Sequence, residues 1–469
     1  MHTYDDLLAA VISDHRPARD VLDPATGELI GRAPAGDASQ LAPAIERARR
    51  AQPAWAALSD DERCAALSRA ADAIEESAEA LALVLSREQG KPLNGPNARF
   101  EVGACVAWLR ATAATPLPVE TVVDDGETYA ELHYRPIGLV GAITPWNWPM
   151  MIAIWQIAPA LRMGNAVVAK PSEYTTLSGL ALAAVMNEVL PEGVLTMITG
   201  DGAVGAALVA DPAFGKIMFT GSTATGQRIV AASAPNLTRL TLELGGNDAG
   251  IVLADVDPRA IAEDLFWGAF INTGQTCAAL KRLYVHDDVY DAVVDALHEV
   301  AAAMPMGVGT DEANVLGPLQ NRMQWSVVDR LVEAARDSGA RIVMGGDPDR
   351  QAPGNFYPTT LVADIAPENP LVLEEQFGPA LPIVRYRDVE EAIALANGVS
   401  VGLGASVWTA DRDRAREIAG RLQAGTVWIN SHGGVHPLIP FGGVKQSGYG
   451  LEFGVEGLKS VAVPQVING

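Results

Sequence analysis

Between residues 137 and 253 short apolar runs alternate with helix-forming stretches, and this alternation restricts the chain more than any other feature. Ile137 to Ile143, Ala166 to Ala169, Val194 to Ile198, Lys216 to Phe219 and Arg239 to Leu244 read as strands. Residues 175 to 190, 203 to 210 and 221 to 232 read as the helices between them. Strands joined through helices run parallel with right-handed crossovers, and a parallel sheet needs helices on both faces. The fold class expected is therefore α/β, with a nucleotide-binding type of sheet. A second α/β rhythm runs from 255 to 445, and 469 residues exceed what one core supports, so a second domain follows.

The flanking segments differ. Residues 38 to 115 are rich in Ala, Leu, Glu and Arg, and read mostly as helix, with Gly90-Lys91-Pro92 ending one. Glu127 to Arg135 alternates polar and apolar residues, which predicts an exposed strand within a hairpin over 119 to 136. Val461 to Ile467 is a strand candidate that can join that hairpin. A hairpin projecting from the body suits a subunit contact, so a homodimer or homotetramer is expected.

Charge excludes several partners. Lys and Arg total 34 against 57 Asp and Glu, a net charge of −23, whereas nucleic acids and anionic membranes need clustered cations. Three cysteines without a Cys-x-x-Cys pair suggest neither a disulfide framework nor a zinc site, and the seven histidines show no ligand spacing, so no metal is expected. The start Met1-His2-Thr3-Tyr4 lacks the basic and apolar runs of a signal peptide, and no apolar run is long enough for a bilayer. A cytoplasmic location fits these features.

Cys277 stands apart from the other two cysteines. It closes Asn272-Thr273-Gly274-Gln275-Thr276-Cys277, a polar approach containing glycine, whereas Cys64 and Cys105 lie in alanine-rich helical stretches and read as small buried hydrophobes. A thiolate is a strong nucleophile, and a carboxylate such as Glu243, in Leu242-Glu243-Leu244-Gly245-Gly246, can take a proton from it or from water. Asn147, within Thr144-Pro145-Trp146-Asn147-Trp148-Pro149, can offer a side-chain N–H to an oxyanion, with the Cys277 amide as second donor.

Other motifs suit a dinucleotide. Phe219-Thr220-Gly221-Ser222-Thr223-Ala224-Thr225-Gly226 follows a strand and opens a helix; it reads either as a pyrophosphate site or as a glycine-capped turn. Lys170-Pro171-Ser172-Glu173 ends a strand, where ligands of open α/β sheets bind. Lys170 and Glu173 can bond ribose hydroxyls, and Glu173 would repel a 2′-phosphate, which favours NAD while leaving NADP possible. Ser172 and Glu173 can equally serve as a helix N-cap and first-turn acid. Glu374-Glu375-Gln376-Phe377-Gly378-Pro379 offers a carboxylate and a ring to a ribose and a nicotinamide.

From about Asp23 to the C-terminus these motifs, in this order and followed by Pro440-Phe441-Gly442-Gly443, Lys445 and Ser447-Gly448, resemble the aldehyde dehydrogenase superfamily, in its NAD(P)-dependent hydrolytic branch. The resemblance implies a Rossmann-like cofactor domain over 1–117 and 137–244 and a catalytic domain over 245–446. It implies a bridging, oligomerising element over 118–136 and 447–469. It assigns Cys277 as nucleophile, Asn147 as oxyanion donor and Glu243 as the base that hydrolyses a thioester. Trp146, Lys170, Ser172, Glu173, Gly221, Ser222, Gly226, Leu244, Glu375 and Phe377 are then the NAD contacts.

One position departs from the family pattern. A lysine that often follows the tryptophan is Gln156 here, which puts a proton exit through that lysine in doubt. Glu452 matches the carboxylate of that route, or is a surface group. The resemblance also lines an aldehyde tunnel with Trp148, Met151, Trp155, Ala278, Val435 and Phe441, an apolar wall with no fixed charge. An uncharged aliphatic or aromatic aldehyde is expected as substrate. His432 and His436 read as packed or solvated. The alternatives are an acylating dehydrogenase that uses coenzyme A, which Glu243 argues against, and an esterase or catalytically silent member of the fold.

Overall fold

The computed structural model describes residues 2–13, 17–116 and 119–469. Met1 and the expected domain boundary at 117/118 lie outside the described residues. The alternation after residue 137 forms a six-stranded sheet in the order Gly448–Tyr449, Arg239–Glu243, Lys216–Thr220, Leu139–Ile143, Ala166–Lys170, Leu195–Met197. The last five are parallel to one another, and Gly448–Tyr449 is antiparallel to its neighbour. Every residue of Leu139–Ile143, Ala166–Lys170 and Lys216–Thr220 is buried, which explains why these strands are unbroken apolar runs. Leu139–Ile143 comes first in the chain but lies inside the sheet. The next two strands are added on one side of it and the following two on the other. That reversal opens a crevice at the carboxyl ends of Leu139–Ile143 and Lys216–Thr220, where ligands of such sheets bind. Trp146-Asn147 and Gly221-Ser222 stand at those two ends.

A second, seven-stranded sheet runs Arg341–Met344, Thr360–Ala363, Ala380–Tyr386, Leu280–His286, Asp248–Val252, Gly404–Trp408, Thr426–Ile429. Only its first pair is antiparallel. Cys277 lies on the connection that enters Leu280–His286. Helix Pro149–Arg162 packs on strands Leu139–Ile143 and Ala166–Lys170 of the six-stranded sheet and against helix Ala98–Ala114, and every one of its residues is buried, as its almost wholly apolar sequence requires. Proline at its first position costs no hydrogen bond.

The chain's last strand, Ala462–Asn468, pairs with Tyr129–Pro136, which pairs with Glu120–Asp124, as the polar/apolar alternation suggested. Residues 447–469 do not act as one element, however. Gly448–Tyr449 belongs to the six-stranded sheet, and only the segment from Ala462 joins the hairpin. The helical region resolves into Leu41–Ala56, Asp60–Glu76, Ala78–Gln89 and Ala98–Ala114, and Gly90 ends the third in a left-handed conformation. Helix Tyr4–Val11 and the hairpin Ala18–Leu22/Leu29–Pro34 were not anticipated. Among the described residues no helix is long and apolar enough to cross a membrane.

Candidate active site

The loop that carries Cys277 is backbone-strained. Asn272, Thr273 and Gly274 take positive φ values of 50°, 57° and 77° in succession. A β-branched threonine rarely occupies that region, so the surroundings must enforce it. Thr273 Oγ1 does so by bonding the backbone of Gly317 in both directions, at 3.2 and 3.0 Å. Gly274 has no alternative, because a Cβ there would lie 2.3 Å from the Gly378 carbonyl oxygen. Lys281 then gathers the end of the loop, donating to the Thr276 carbonyl at 2.8 Å and the Cys277 carbonyl at 2.5 Å. The Asn147 side-chain amide donates to the Gln275 carbonyl at 2.9 Å, which ties Asn147 to the loop that carries Cys277. Burial pushes the Cys277 thiol up to about 12; Lys281 opposes that shift, and Glu243, Asp248 and Glu375 add to it.

Glu243 ends the strand Arg239–Glu243 and is buried. Neither carboxylate oxygen meets a protein hydrogen-bond partner among the described residues. Burial first, and the carboxylate of Glu452 second, hold its carboxyl well above the ordinary value. A carboxylate in such a place is a stronger base than one in water.

Two cavities meet at Cys277. One, of about 320 Å³, is lined by Trp146, Asn147, Gly221, Ser222, Glu243, Leu244, Glu375 and Phe377 together with Cys277. The Phe377 ring meets Trp146 edge to face at 5.4 Å, and Glu375 is held by the Gly246 amide at 3.3 Å and by Lys281 at 3.3 Å. Lys170, Ser172 and Glu173 do not line this cavity; they end the neighbouring strand, with Lys170 and Glu173 3.9 Å apart. Gly226 lies within helix Thr223–Ser233 against Leu244. The N-cap expected of Ser172 is absent: the next helix starts at Thr176, and the buried Glu88 carboxylate accepts from Leu177 and Ser178 at its N-terminus.

The other cavity, of about 520 Å³, brings together all six residues expected to line a tunnel: Trp148, Met151, Trp155, Ala278, Val435 and Phe441. Phe100, Asp264, Trp267, Gly268 and Ile271 also line it. The last four fall at helical spacing on and just beyond Pro258–Phe270, a signal the sequence offered. The wall is not free of charge: Asp264, an exposed carboxylate, stands among the apolar lining. His432 also faces this cavity; its ring is packed, with Nδ1 2.8 Å from Ser406 Oγ, whereas His436 is exposed.

Residues 11–467 match the aldehyde dehydrogenase family model. The chain belongs to the aldehyde dehydrogenase family. Phenylacetaldehyde dehydrogenase of Pseudomonas fluorescens is 38% identical over 453 residues, 94% of this chain and 90% of that one. Betaine aldehyde dehydrogenase of Cereibacter sphaeroides is 39% identical over 450 residues, 94% of this chain and 93% of that one. PnpE of Pseudomonas, solved in complex with nicotinamide adenine dinucleotide, superposes with a TM-score of 0.93 at 37% identity, covering 98% of this chain and 95% of that one. This aldehyde dehydrogenase is an NAD(P)-dependent oxidoreductase.

The strand-end motifs Trp146-Asn147, Gly221-Ser222 and Glu243 converge on one cavity with Glu375 and Phe377. A Cβ on Gly245 would stand 2.4 Å from Glu375 Oε2, so the bare glycine lets that carboxylate reach the cavity. Ser222 caps helix Thr223–Ser233, and Gly221 and Ser222 at its N-terminus line the same space. At the position of the missing lysine, buried Gln156 donates to Thr220 Oγ1 at 3.0 Å. The buried cation in this region is Lys216, which donates to Thr241 Oγ1 at 2.6 Å. Burial draws its ammonium down to about 7. Glu452 is no surface group: it is 2% exposed, and burial raises its carboxyl to about 8 against the pull of Lys216.

Proposed function

We propose that this chain oxidises an uncharged aliphatic or aromatic aldehyde to its carboxylic acid with NAD, by covalent catalysis on Cys277. The carrying observation is that Cys277 lies at the junction of the two cavities, one lined by Glu243 and Asn147 and the other by aromatic rings. In this reading the Cys277 thiol releases its proton to solvent, the thiolate sulfur attacks the aldehyde carbon, and the Asn147 side-chain N–H with the Cys277 amide holds the resulting oxyanion. NAD, held at its nicotinamide end by Glu375 and Phe377, would supply the hydride acceptor needed to oxidise the thiohemiacetal on Cys277 to a thioester. Glu243 then takes a proton from water, the hydroxide attacks the thioester carbon, and acid leaves as the thiol is restored. Glu375 and Phe377 would hold the nicotinamide end, Ser222 and its helix the pyrophosphate, and Lys170 and Glu173 the adenosine ribose.

Cofactor binding is assigned to 1–117 and 137–244, and catalysis to 245–446. The hairpin with the terminal strand would form the contact of a homodimer or homotetramer, since it leaves Val122, Val466 and Ile467 exposed. Three free cysteines, one of them the nucleophile, suit a reducing cytoplasm.

Asp264 favours a second reading, an aldehyde bearing a quaternary ammonium group, because Trp148, Trp155, Trp267 and Phe100 line the same cavity. The named relatives include an enzyme for each reading. Reduction of NAD followed at 340 nm, without coenzyme A, tests both with phenylacetaldehyde, hexanal, betaine aldehyde and a phosphorylated aldehyde. Preference for the first two supports the neutral reading, and preference for betaine aldehyde replaces it with the second. A signal only after coenzyme A is added overturns hydrolysis.

A further inference from the structure

Lys91 and Glu101 form an ion pair at 2.6 Å with both side chains 0% exposed, and neither was marked by the sequence as part of the site. Burying two charges costs more than a salt bridge returns in stability, so such a pair calls for another reason. Its remaining bonds supply one. The ammonium has three N–H donors and no acceptor. It meets Glu101 Oε2, the Asn147 carbonyl oxygen at 2.8 Å, and the face of the Trp148 ring 3.6 Å from its centroid. The other oxygen of Glu101 accepts from the backbone N–H groups of Met150 and Met151, at 2.8 and 3.1 Å, where helix Pro149–Arg162 begins. Each polar group of the pair is thus used on residues 147–151.

Those residues are tied to the loop that carries Cys277 by three further bonds. The Asn147 side-chain amide donates to Gln275, and Trp148 Nε1–H donates to Thr276 Oγ1 at 3.0 Å. Asn272 Nδ2 donates to the Asn147 carbonyl at 2.8 Å, from the same loop. The Asn147 backbone is therefore held by Lys91 on one side and by the Cys277 loop on the other, while its amide keeps one N–H for a ligand.

We propose that Lys91 and Glu101 are positioning residues for the oxyanion donor: the buried pair fixes Asn147 and Trp148 against the Cys277 loop at the distance the reacting carbonyl needs. This inference rests on the reading of Asn147 as that donor. A catalytic group displaced by about 1 Å loses about 100-fold in rate.

The test is a double-mutant cycle of K91M with N147A, reading kcat/KM for the aldehyde, NAD affinity by fluorescence titration, and melting temperature. K91M is expected to lower kcat/KM about 10- to 100-fold with NAD affinity unchanged, and to add less than about 3-fold once N147A is present. Effects that multiply, or an equal loss of NAD affinity, overturn the proposal. If K91M does not fold, E101Q, of nearly the same volume, is put through the same cycle and decides on the same criteria. N147A alone separates the two readings: wild-type turnover in that variant refutes Asn147 as the donor, whereas a slow N147A with a strictly multiplicative K91M refutes only the clamp.

Discussion

The two cavities that meet at Cys277 are built from different parts of the fold. On the side of Glu243 part of the lining comes from strand ends: Trp146-Asn147 follow Leu139–Ile143, Gly221-Ser222 follow Lys216–Thr220, and Glu243 ends its own strand, while Glu375 and Phe377 come from the loop before Ala380–Tyr386 and Met323, Gln324 and Val327 from helix Arg322–Asp337. On the aldehyde side the lining comes from helices Ala98–Ala114, Pro149–Arg162 and Pro258–Phe270 and from the loop at 431–441. Strand ends are fixed by ladder hydrogen bonds, so groups placed there hold their separations within a fraction of an ångström. Helix faces present side chains that can be exchanged without moving backbone. In the proposed reading the chemistry sits where the strand ends meet the Cys277 loop, and selectivity on the half built from helix faces.

Breaking the rigid half gives the largest effects. C277A removes the only thiol facing both cavities, and acid formation is expected to fall by about 10⁴-fold or more while NAD still binds. Turnover near wild type would remove Cys277 as nucleophile. E243Q leaves the shape of the cavity and takes away the base. Steady-state turnover is expected to fall about 10²- to 10³-fold, with the initial burst of NADH retained in rapid mixing. A burst lost in proportion to the steady state would place Glu243 before hydride transfer instead.

The same contrast explains what the sequence disclosed. Parallel strands buried on both faces leave uninterrupted apolar runs, so the five parallel strands of the six-stranded sheet could be placed along the chain. Short antiparallel pairs leave little pattern, and Gly448–Tyr449 and the hairpin Ala18–Leu22/Leu29–Pro34 were missed for that reason. Groups that act across long separations were also hidden. Glu88 caps a helix that starts 88 residues later, at Thr176, and Lys91, read only as part of a helix end, reaches Asn147. Neither sequence spacing nor composition records such contacts. Asp264 was overlooked because the tunnel was read from residues near the motifs, and the helix that brings Asp264, Trp267 and Ile271 into it carries none.

The exchangeable half gives smaller, substrate-dependent effects. W267A removes one ring from the tunnel and is expected to lower kcat/KM about 10-fold for an aromatic aldehyde, and less for a short aliphatic one, with the KM for NAD unchanged. Equal losses for both aldehydes would mean that the ring supports the fold and not the substrate. D264N sharpens the point: it should change kcat/KM for neutral aldehydes by less than about 2-fold and lower it several-fold for a cationic one.

The smallest expected effect belongs to Glu452, on the rigid side, and it is read from pH. Burial raises this carboxyl to about 8, whereas in the unfolded chain it titrates near its ordinary 4.5. Between those values the folded protein holds a proton that the unfolded chain has released, so this contribution to stability is complete below about pH 4.5 and is lost as pH rises toward 8, by at most about 1.4 kcal/mol per unit. Glu88, raised to about 7 by burial, and Glu243, raised by burial first and Glu452 second, have the same sign and are present in both proteins. Lys216 acts in the opposite sense above about 7, where the folded chain has lost a proton that the unfolded one keeps, so the clean window is pH 5 to 7. Across it the wild-type melting temperature should fall relative to E452Q by a few degrees, because a glutamine has no proton to release. Parallel melting curves for the two proteins would mean that Glu452 is ionised in the folded state throughout, and that the buried charge is balanced by Lys216 and not by a bound proton.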